Sequence, residues 1–122
     1  MARVLLVDDE AVFRGSLAQR LRLRGYDVVE RGDGAAAIKA VEEDADFDVI
    51  ILDYRMPGMK GEEVLREIKH RRRSTPVVML TAFGTEETAD AWVCLQKPCE
   101  LDELIRGIEG ARQSRLTQEP GG

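Results

Sequence analysis

The residues best suited to chemistry are carboxylates, a hydroxyl and an amine that follow short apolar runs. They are Asp8, Asp9 and Glu10 after residues 4–7, Asp53 after residues 49–52, Thr81 after residues 77–80, and Lys97 just beyond residues 92–95. Carboxylate oxygens suit Mg²⁺, which binds one or two carboxylates together with phosphate oxygens and water. An aspartate can attack phosphorus, and a lysine and a threonine can stabilise phosphoryl oxygens. Gathered in one place, these groups would form a metal-dependent site for a phosphoryl group.

The apolar runs predict β-strands. Residues 4–7, 49–52 and 77–80 are apolar without interruption, which is typical of parallel strands that are buried on both faces. Residues 26–30 are more polar and suit an edge strand, and residues 92–95 supply a short fifth strand.

Helical patterns separate these predicted strands. Apolar residues recur on one helix face in four segments, which contain Phe13, Leu17 and Leu21; Ala37, Ile38 and Val41; Val64, Leu65 and Ile68; and Leu101, Leu104, Ile105 and Ile108. Gly25 is suited to end the first helix, and Asp33 is suited to cap the second.

The alternation of strands and helices predicts an α/β fold with a doubly wound, five-stranded parallel sheet in the order 2-1-3-4-5, the flavodoxin-like arrangement. Right-handed crossovers and a polar second strand favour this order. The carboxyl ends of the strands then meet at one edge, where ligands bind. Asp8, Asp9 and Asp53 would crowd together there. Because like charges raise one another's pKa, a divalent cation such as Mg²⁺ would relieve the crowding.

Length and charge limit the classes of protein that fit. The 122 residues predict one domain, which we place at residues 1–113, with residues 114–122 as a flexible tail or truncated linker. The net charge of −5 argues against a nucleic-acid or membrane-surface binder. The sequence has no secretory leader pattern and no apolar run that could span a bilayer, so we expect a cytoplasmic location.

Four short motifs resemble those of one protein family. The segments LLVDDE, ILDYRMPGMKG, LTA and QKP resemble the receiver domains of two-component response regulators, and the likeness extends from residue 3 to residue 112. Each motif alone is short and occurs by chance. Four in order, each at the end of a predicted strand, are specific.

The resemblance implies a role for each acidic residue. Asp53 would accept a phosphoryl group from a phosphohistidine on a sensor histidine kinase or a phosphotransfer protein. Asp9 and Asp53 would bind Mg²⁺ directly, together with the backbone carbonyl of Arg55. Asp8 would bind the ion through a water molecule.

The resemblance also assigns the remaining site residues and the partners. Lys97 would pair with a phosphoryl oxygen, and Thr81 would move to donate a hydrogen bond to the phosphoryl group. The Lys97–Pro98 peptide bond would be cis. A downstream output domain or protein is implied as a partner, with a homodimer formed on phosphorylation as one further expectation. Neither direct nucleic-acid contact nor membrane contact is expected.

The sequence departs from the family pattern between strands 4 and 5. Residues 82–91 alone must cross from one strand to the other, whereas a crossover with a helix needs roughly ten to twelve residues. We therefore expect the fourth helix, which lies in this crossover, to be shortened or absent. Cys94 also stands where the family usually has an aromatic residue that takes part in switching.

Three other functions compete with a phosphorylated signalling domain. An unphosphorylated pseudo-receiver would serve as a protein interaction module; the short crossover favours it, and the complete acidic set argues against it. A Mg²⁺-dependent phosphatase with an aspartyl nucleophile usually has a second acid two residues later, where this chain has Arg55. A flavin-binding protein of this fold would need a phosphate loop after the first strand, where Asp8 and Asp9 would repel the phosphate.

Overall fold

A parallel β-sheet forms the centre of the molecule. The computed structural model describes residues 2–44, 46–54, 58–81 and 91–118. The strands are β1 (Arg3–Val7), β2 (Asp27–Arg31), β3 (Val49–Asp53), β4 (Val77–Thr81) and β5 (Val93–Gln96). They pair in parallel in the order β2-β1-β3-β4-β5, which confirms the predicted fold class and strand order.

The three central strands are buried on both faces, as their continuous apolar runs predict. In β3, the side chains of Val49, Ile50, Ile51 and Leu52 are all 0% exposed although neighbours in a strand point to opposite faces. The edge strands are more accessible: β5 is half-buried for most of its length and exposed at Gln96. Burial on both faces fixes β3 firmly in the centre of the sheet.

Helices cover both faces of the sheet. The described helices are α1 (Ala11–Leu23), α2 (Gly34–Glu43), α3 (Gly61–Arg71) and α4 (Leu101–Gln118). One core cluster joins α1 and α4 to the sheet through residues that include Leu17, Leu21, Leu104 and Ile108. A second cluster joins α2 and α3 to the opposite face through residues that include Val41, Val64, Leu65 and Ile68.

The predicted helix signals at Gly25 and Asp33 are confirmed. Gly25 has a φ of +95°, and its N–H donates to the carbonyl of Arg22 at the end of α1. The Asp33 carboxylate accepts a hydrogen bond of 2.7 Å from the N–H of Ala36. These local signals set where the first helix ends and where the second helix begins.

The N-terminus of α3 lies against the backbone that follows β3. The N–H of Gly61 donates to the carbonyl of Tyr54 over 2.8 Å. A Cβ atom at Gly61 would lie 2.6 Å from that carbonyl oxygen and 2.7 Å from the Tyr54 Cα. Since backbone cannot move aside as a flexible side chain can, the closeness of α3 to the carboxyl end of β3 requires a glycine here.

We expect Gly61→Ala to lower the free energy of unfolding by about 1–3 kcal/mol, because the added methyl group forces the helix away from Tyr54. Urea titration followed by circular dichroism measures the change. Gly15→Ala is the matched control, since a Cβ at Gly15 in α1 meets no described neighbour within 4 Å. That change should stabilise the protein by roughly 0.5–1 kcal/mol. Equal effects of the two substitutions would contradict the steric argument.

Two sequence predictions concern the ends of described segments. The shortened fourth helix falls on residues 82–90, which lie outside the described residues, so it stays a prediction. The last helix, α4, continues to Gln118 and passes the boundary predicted at residue 114, because a polar sequence without Gly or Pro can still extend a helix.

Among the described residues, no helix is both long enough and apolar enough to cross a bilayer.

Candidate functional site at the carboxyl edge of the sheet

The sheet brings the predicted site residues to one edge. Asp8 directly follows β1, Asp53 is the last residue of β3, and Thr81 is the last residue of β4. Asp53 is in register with Leu80, so Thr81 lies one position beyond the partner of Asp53. Lys97 follows β5, and its N–H donates to the carbonyl of Thr81 over 2.6 Å. Backbone pairing therefore places these side chains at neighbouring strand ends.

Three carboxyl groups form the centre of the site. One oxygen from each of Asp8, Asp9 and Asp53 lies within 4.8 Å of the others. Asp8 and Asp53 are 1% and 6% exposed, whereas Asp9 is exposed. An all-oxygen cluster that is buried on one side and open on the other is suited to a hard divalent cation that keeps some of its water. The donor set therefore fits Mg²⁺ chemically.

The Lys97 ammonium lies between the two buried carboxylates. Its Nζ is 3.0 Å from Asp8 Oδ2 and 3.6 Å from Asp53 Oδ2. Burial by itself lowers the pKa of Lys97, but the hydrogen bond that it donates to Asp8 and the charge of Asp53 outweigh burial and raise the pKa. Lys97 therefore stays positively charged beside the two acids.

Backbone and side-chain hydrogen bonds hold the loop that carries Asp8. The N–H of Asp8 donates to the carbonyl of Arg31 in β2 over 3.1 Å, and the Asp8 carboxylate accepts from the N–H of Glu10 over 2.9 Å. Arg14 in α1 donates from Nη1 to the Asp8 carbonyl over 2.6 Å, and its Nε lies 3.3 Å from Glu30. Arg14 thus links the acidic loop to β2.

The other predicted site residues have separate outcomes. Thr81 is 2% exposed at the end of β4. The Lys97–Pro98 peptide bond is cis, as predicted. Arg55, whose carbonyl is an expected metal ligand, lies outside the described residues. Glu10 is exposed, and its described contact with the site is through its backbone.

Sequence reasoning missed two residues beside the site. The sequence pattern places Phe13 in the core stripe of α1, but Phe13 is 38% exposed and its ring centroid lies 4.4 Å from Lys97 Nζ. The stripe runs past the edge of the sheet, so Leu17 and Leu21 are buried while Phe13 reaches the strand ends. Arg14 lies off that stripe, and the sequence pattern gives it no role at the site. The available signal was that both residues follow Asp9 and Glu10 by only three to five positions.

Comparison with known proteins gives the same family along most of the chain. The family model of the response regulator receiver domain matches residues 4–109 of this chain. The transcriptional regulatory protein PdtaR of Mycobacterium tuberculosis is 39% identical over 114 residues, which cover 88% of this chain and 55% of PdtaR. The chain therefore spans about half the length of this relative.

Solved structures share the fold. A response regulator receiver domain protein from Clostridium thermocellum has a TM-score of 0.90 and 27% identity, with 96% of this chain and 98% of that chain covered. The response regulator TrrA from Thermotoga maritima, solved in complex with Mg²⁺-BeF, has a TM-score of 0.84 and 30% identity, with 91% and 99% covered. On the sequence match and the shared fold together, this chain belongs to the response regulator receiver domain family.

Proposed function

We propose that this chain accepts a phosphoryl group on Asp53 from the phosphohistidine of a sensor histidine kinase or phosphotransfer protein and thereby changes its binding to an output domain or protein. The observation that carries the proposal is the position of the Asp53 carboxylate. It lies within 4.8 Å of the Asp8 and Asp9 carboxylates and 3.6 Å from the Lys97 ammonium. A nucleophile, a metal-type donor set and a cation therefore share one partly open site.

The proposed transfer is a single displacement at phosphorus. A carboxylate oxygen of Asp53 forms a bond to phosphorus while the phosphorus–nitrogen bond of the donor breaks, and the electron pair of that bond stays on the imidazole. Lys97 would stabilise the charge on the phosphoryl oxygens as a preorganised cation. The Thr81 hydroxyl would donate a hydrogen bond to the transferred group. Asp53 keeps its place because β3 is fully buried up to the residue before it.

Asp8, Asp9 and Asp53, with the carbonyl of Arg55, are the residues that we propose hold Mg²⁺. When bound, the ion would neutralise part of the negative charge that the carboxylates and phosphoryl oxygens share. The solved Mg²⁺-BeF complex of TrrA supports this proposal by likeness. A hard cation also suits a site where three carboxyl groups face one ammonium.

Receiver domains generally signal and do not turn over a substrate, and we propose that this chain does the same in the cytoplasm. Its partners would be a kinase or phosphotransfer protein upstream and an output domain or protein downstream, and phosphorylation could join two copies as a homodimer. The similarity to PdtaR supports a regulatory output.

The test is phosphorylation by a small-molecule phosphodonor such as acetyl phosphate, which needs no kinase. We expect the intact mass of the wild-type chain to rise by one phosphoryl group with Mg²⁺ and to stay unchanged with a chelator. Peptide mapping should place the group on Asp53. A folded chain that gains no mass with Mg²⁺ present would overturn the proposal and favour an unphosphorylated interaction module.

A further inference from the structure

Among the described contacts of the Lys97 ammonium, one is with a group that is neither a metal ligand nor a phosphoacceptor. Two of its described contacts are the carboxylates of Asp8 and Asp53, at 3.0 and 3.6 Å. The third is the ring of Phe13, whose centroid is 4.4 Å from Nζ. A cation at this distance from an aromatic ring is attracted by the negative face of the ring.

α1 fixes the place of Phe13. Leu17 and Leu21 follow Phe13 at intervals of four residues, on the same helix face, and are 6% and 0% exposed. They anchor α1 to the sheet, so the first turn of the helix carries Phe13 over the carboxyl edge. The ring is therefore part of a rigid element, as a group that orients another side chain must be.

A small cavity lies beside the pair. It has a volume of about 80 Å³ and is lined by Phe13 and Lys97 together with residues of α1, β4 and α4 that include Leu17, Leu80 and Leu104. The Lys97 ammonium is carried on a flexible four-carbon chain. The cavity gives this side chain room to leave its position. A contact that holds the ammonium in place would therefore oppose movement of the Lys97 side chain into this cavity.

We propose that Phe13 is a positioning residue that keeps the Lys97 ammonium directed at the phosphoryl site. This inference rests on the proposed function. When Mg²⁺ is bound and Asp53 is phosphorylated, the carboxylates of Asp8 and Asp53 would have partners other than Lys97. The contact with the ring uses no atom of the metal site or of the phosphoacceptor, so neither Mg²⁺ binding nor phosphorylation of Asp53 would remove a partner from it.

The test compares Phe13→Leu, which keeps apolar volume without a ring, with Phe13→Tyr, which keeps the ring. Phosphorylation by acetyl phosphate with Mg²⁺ removes any contribution of kinase docking to α1. We expect Phe13→Leu to slow phosphorylation about two- to fivefold, the size of a cation–π contact at a partly exposed site. Phe13→Tyr should restore the wild-type rate. Val12→Ala, at a neighbouring residue of α1 that is 89% exposed, should have no effect.

A second readout separates the contact from the reaction. In the unphosphorylated protein with Mg²⁺, nuclear magnetic resonance should show the Lys97 ε-protons shifted upfield by the ring, and Phe13→Leu should remove that shift. A wild-type rate in Phe13→Leu, or failure of Phe13→Tyr to restore the rate, would overturn the positioning role while leaving phosphorylation of Asp53 intact. If the wild-type chain gains no phosphoryl group, the proposed function fails. In that case a Lys97 shift that is the same in wild type and Phe13→Leu would overturn the contact as well.

Discussion

Asp53→Asn will abolish phosphorylation of this chain by acetyl phosphate. The amide that replaces the carboxylate is not a nucleophile toward phosphorus. Among the described residues, the other carboxylate that pairs with the Lys97 ammonium is that of Asp8, at 3.0 Å compared with 3.6 Å for Asp53. Asp8 is 1% exposed, whereas Asp53 is 6% exposed and Asp9 is exposed, so Asp8 is the least accessible of the three carboxylates to a phosphodonor. Intact mass after incubation with acetyl phosphate and Mg²⁺ measures the result.

Asp27→Asn is the matched control for this substitution. Asp27 is an exposed aspartate at the start of β2, on the opposite edge of the sheet, where it forms an ion pair with Arg3. The Asp27→Asn substitution removes the same charge from the chain as Asp53→Asn does, yet it should leave phosphorylation at the wild-type level. A phosphoryl group on folded Asp53→Asn protein would show that another residue is the acceptor. Thermal unfolding of each variant checks that the fold is retained.

Lys97→Met is expected to slow phosphorylation, which is measured with Mg²⁺, and to lower the stability of the protein when Mg²⁺ is absent. Phosphorylation should slow by roughly 10²–10³-fold, the usual cost of removing one preorganised charge-stabilising group. Without Mg²⁺, the free energy of unfolding should fall by about 3–5 kcal/mol, because two buried carboxylates lose their cation. The methionine keeps most of the apolar volume of the lysine, so the loss comes mainly from charge.

Mg²⁺ should return much of the stability that Lys97→Met loses. The ion supplies the positive charge that the variant lacks, and a ligand that binds only the folded state stabilises that state. Urea titrations with Mg²⁺ and with a chelator measure the difference, which should be larger in Lys97→Met than in wild type. Lys39→Met, at an exposed lysine of α2, serves as the control. If the stability of Lys97→Met is the same with Mg²⁺ and with a chelator, the result would contradict an acidic metal site beside Lys97.

The strand order could be predicted because burial leaves a clear trace in the sequence. Residues 49–52 are all bulky and apolar, and in the structure all four are fully buried, as only a central parallel strand allows. The same rule placed Asp53, Thr81 and Lys97 at strand ends on one edge. Asp33 could be predicted as a cap since its interaction is local in the sequence.

Contacts between distant elements could not be predicted in the same way. The pattern of α1 puts Phe13 in line with Leu17 and Leu21, and nothing local states that the sheet ends beneath that first turn. Arg14 is polar and off the stripe, and its bond to the Asp8 carbonyl depends on how α1 crosses the strand ends. Such contacts depend on how far each helix extends relative to the sheet, which periodicity does not record.

The edge position of β5 has a consequence for local opening. Lys97 and Asp8 are 89 positions apart in the sequence, and Lys97 is tied to the sheet by its N–H bond to Thr81 just beyond a half-buried edge strand. Edge elements with few buried contacts open at lower free energy than the core. Opening of β5 alone would therefore withdraw the ammonium from the acidic cluster while β1, β3 and β4 stay paired. Amide hydrogen exchange at Lys97 would then report how often the assembled site comes apart, separately from global unfolding.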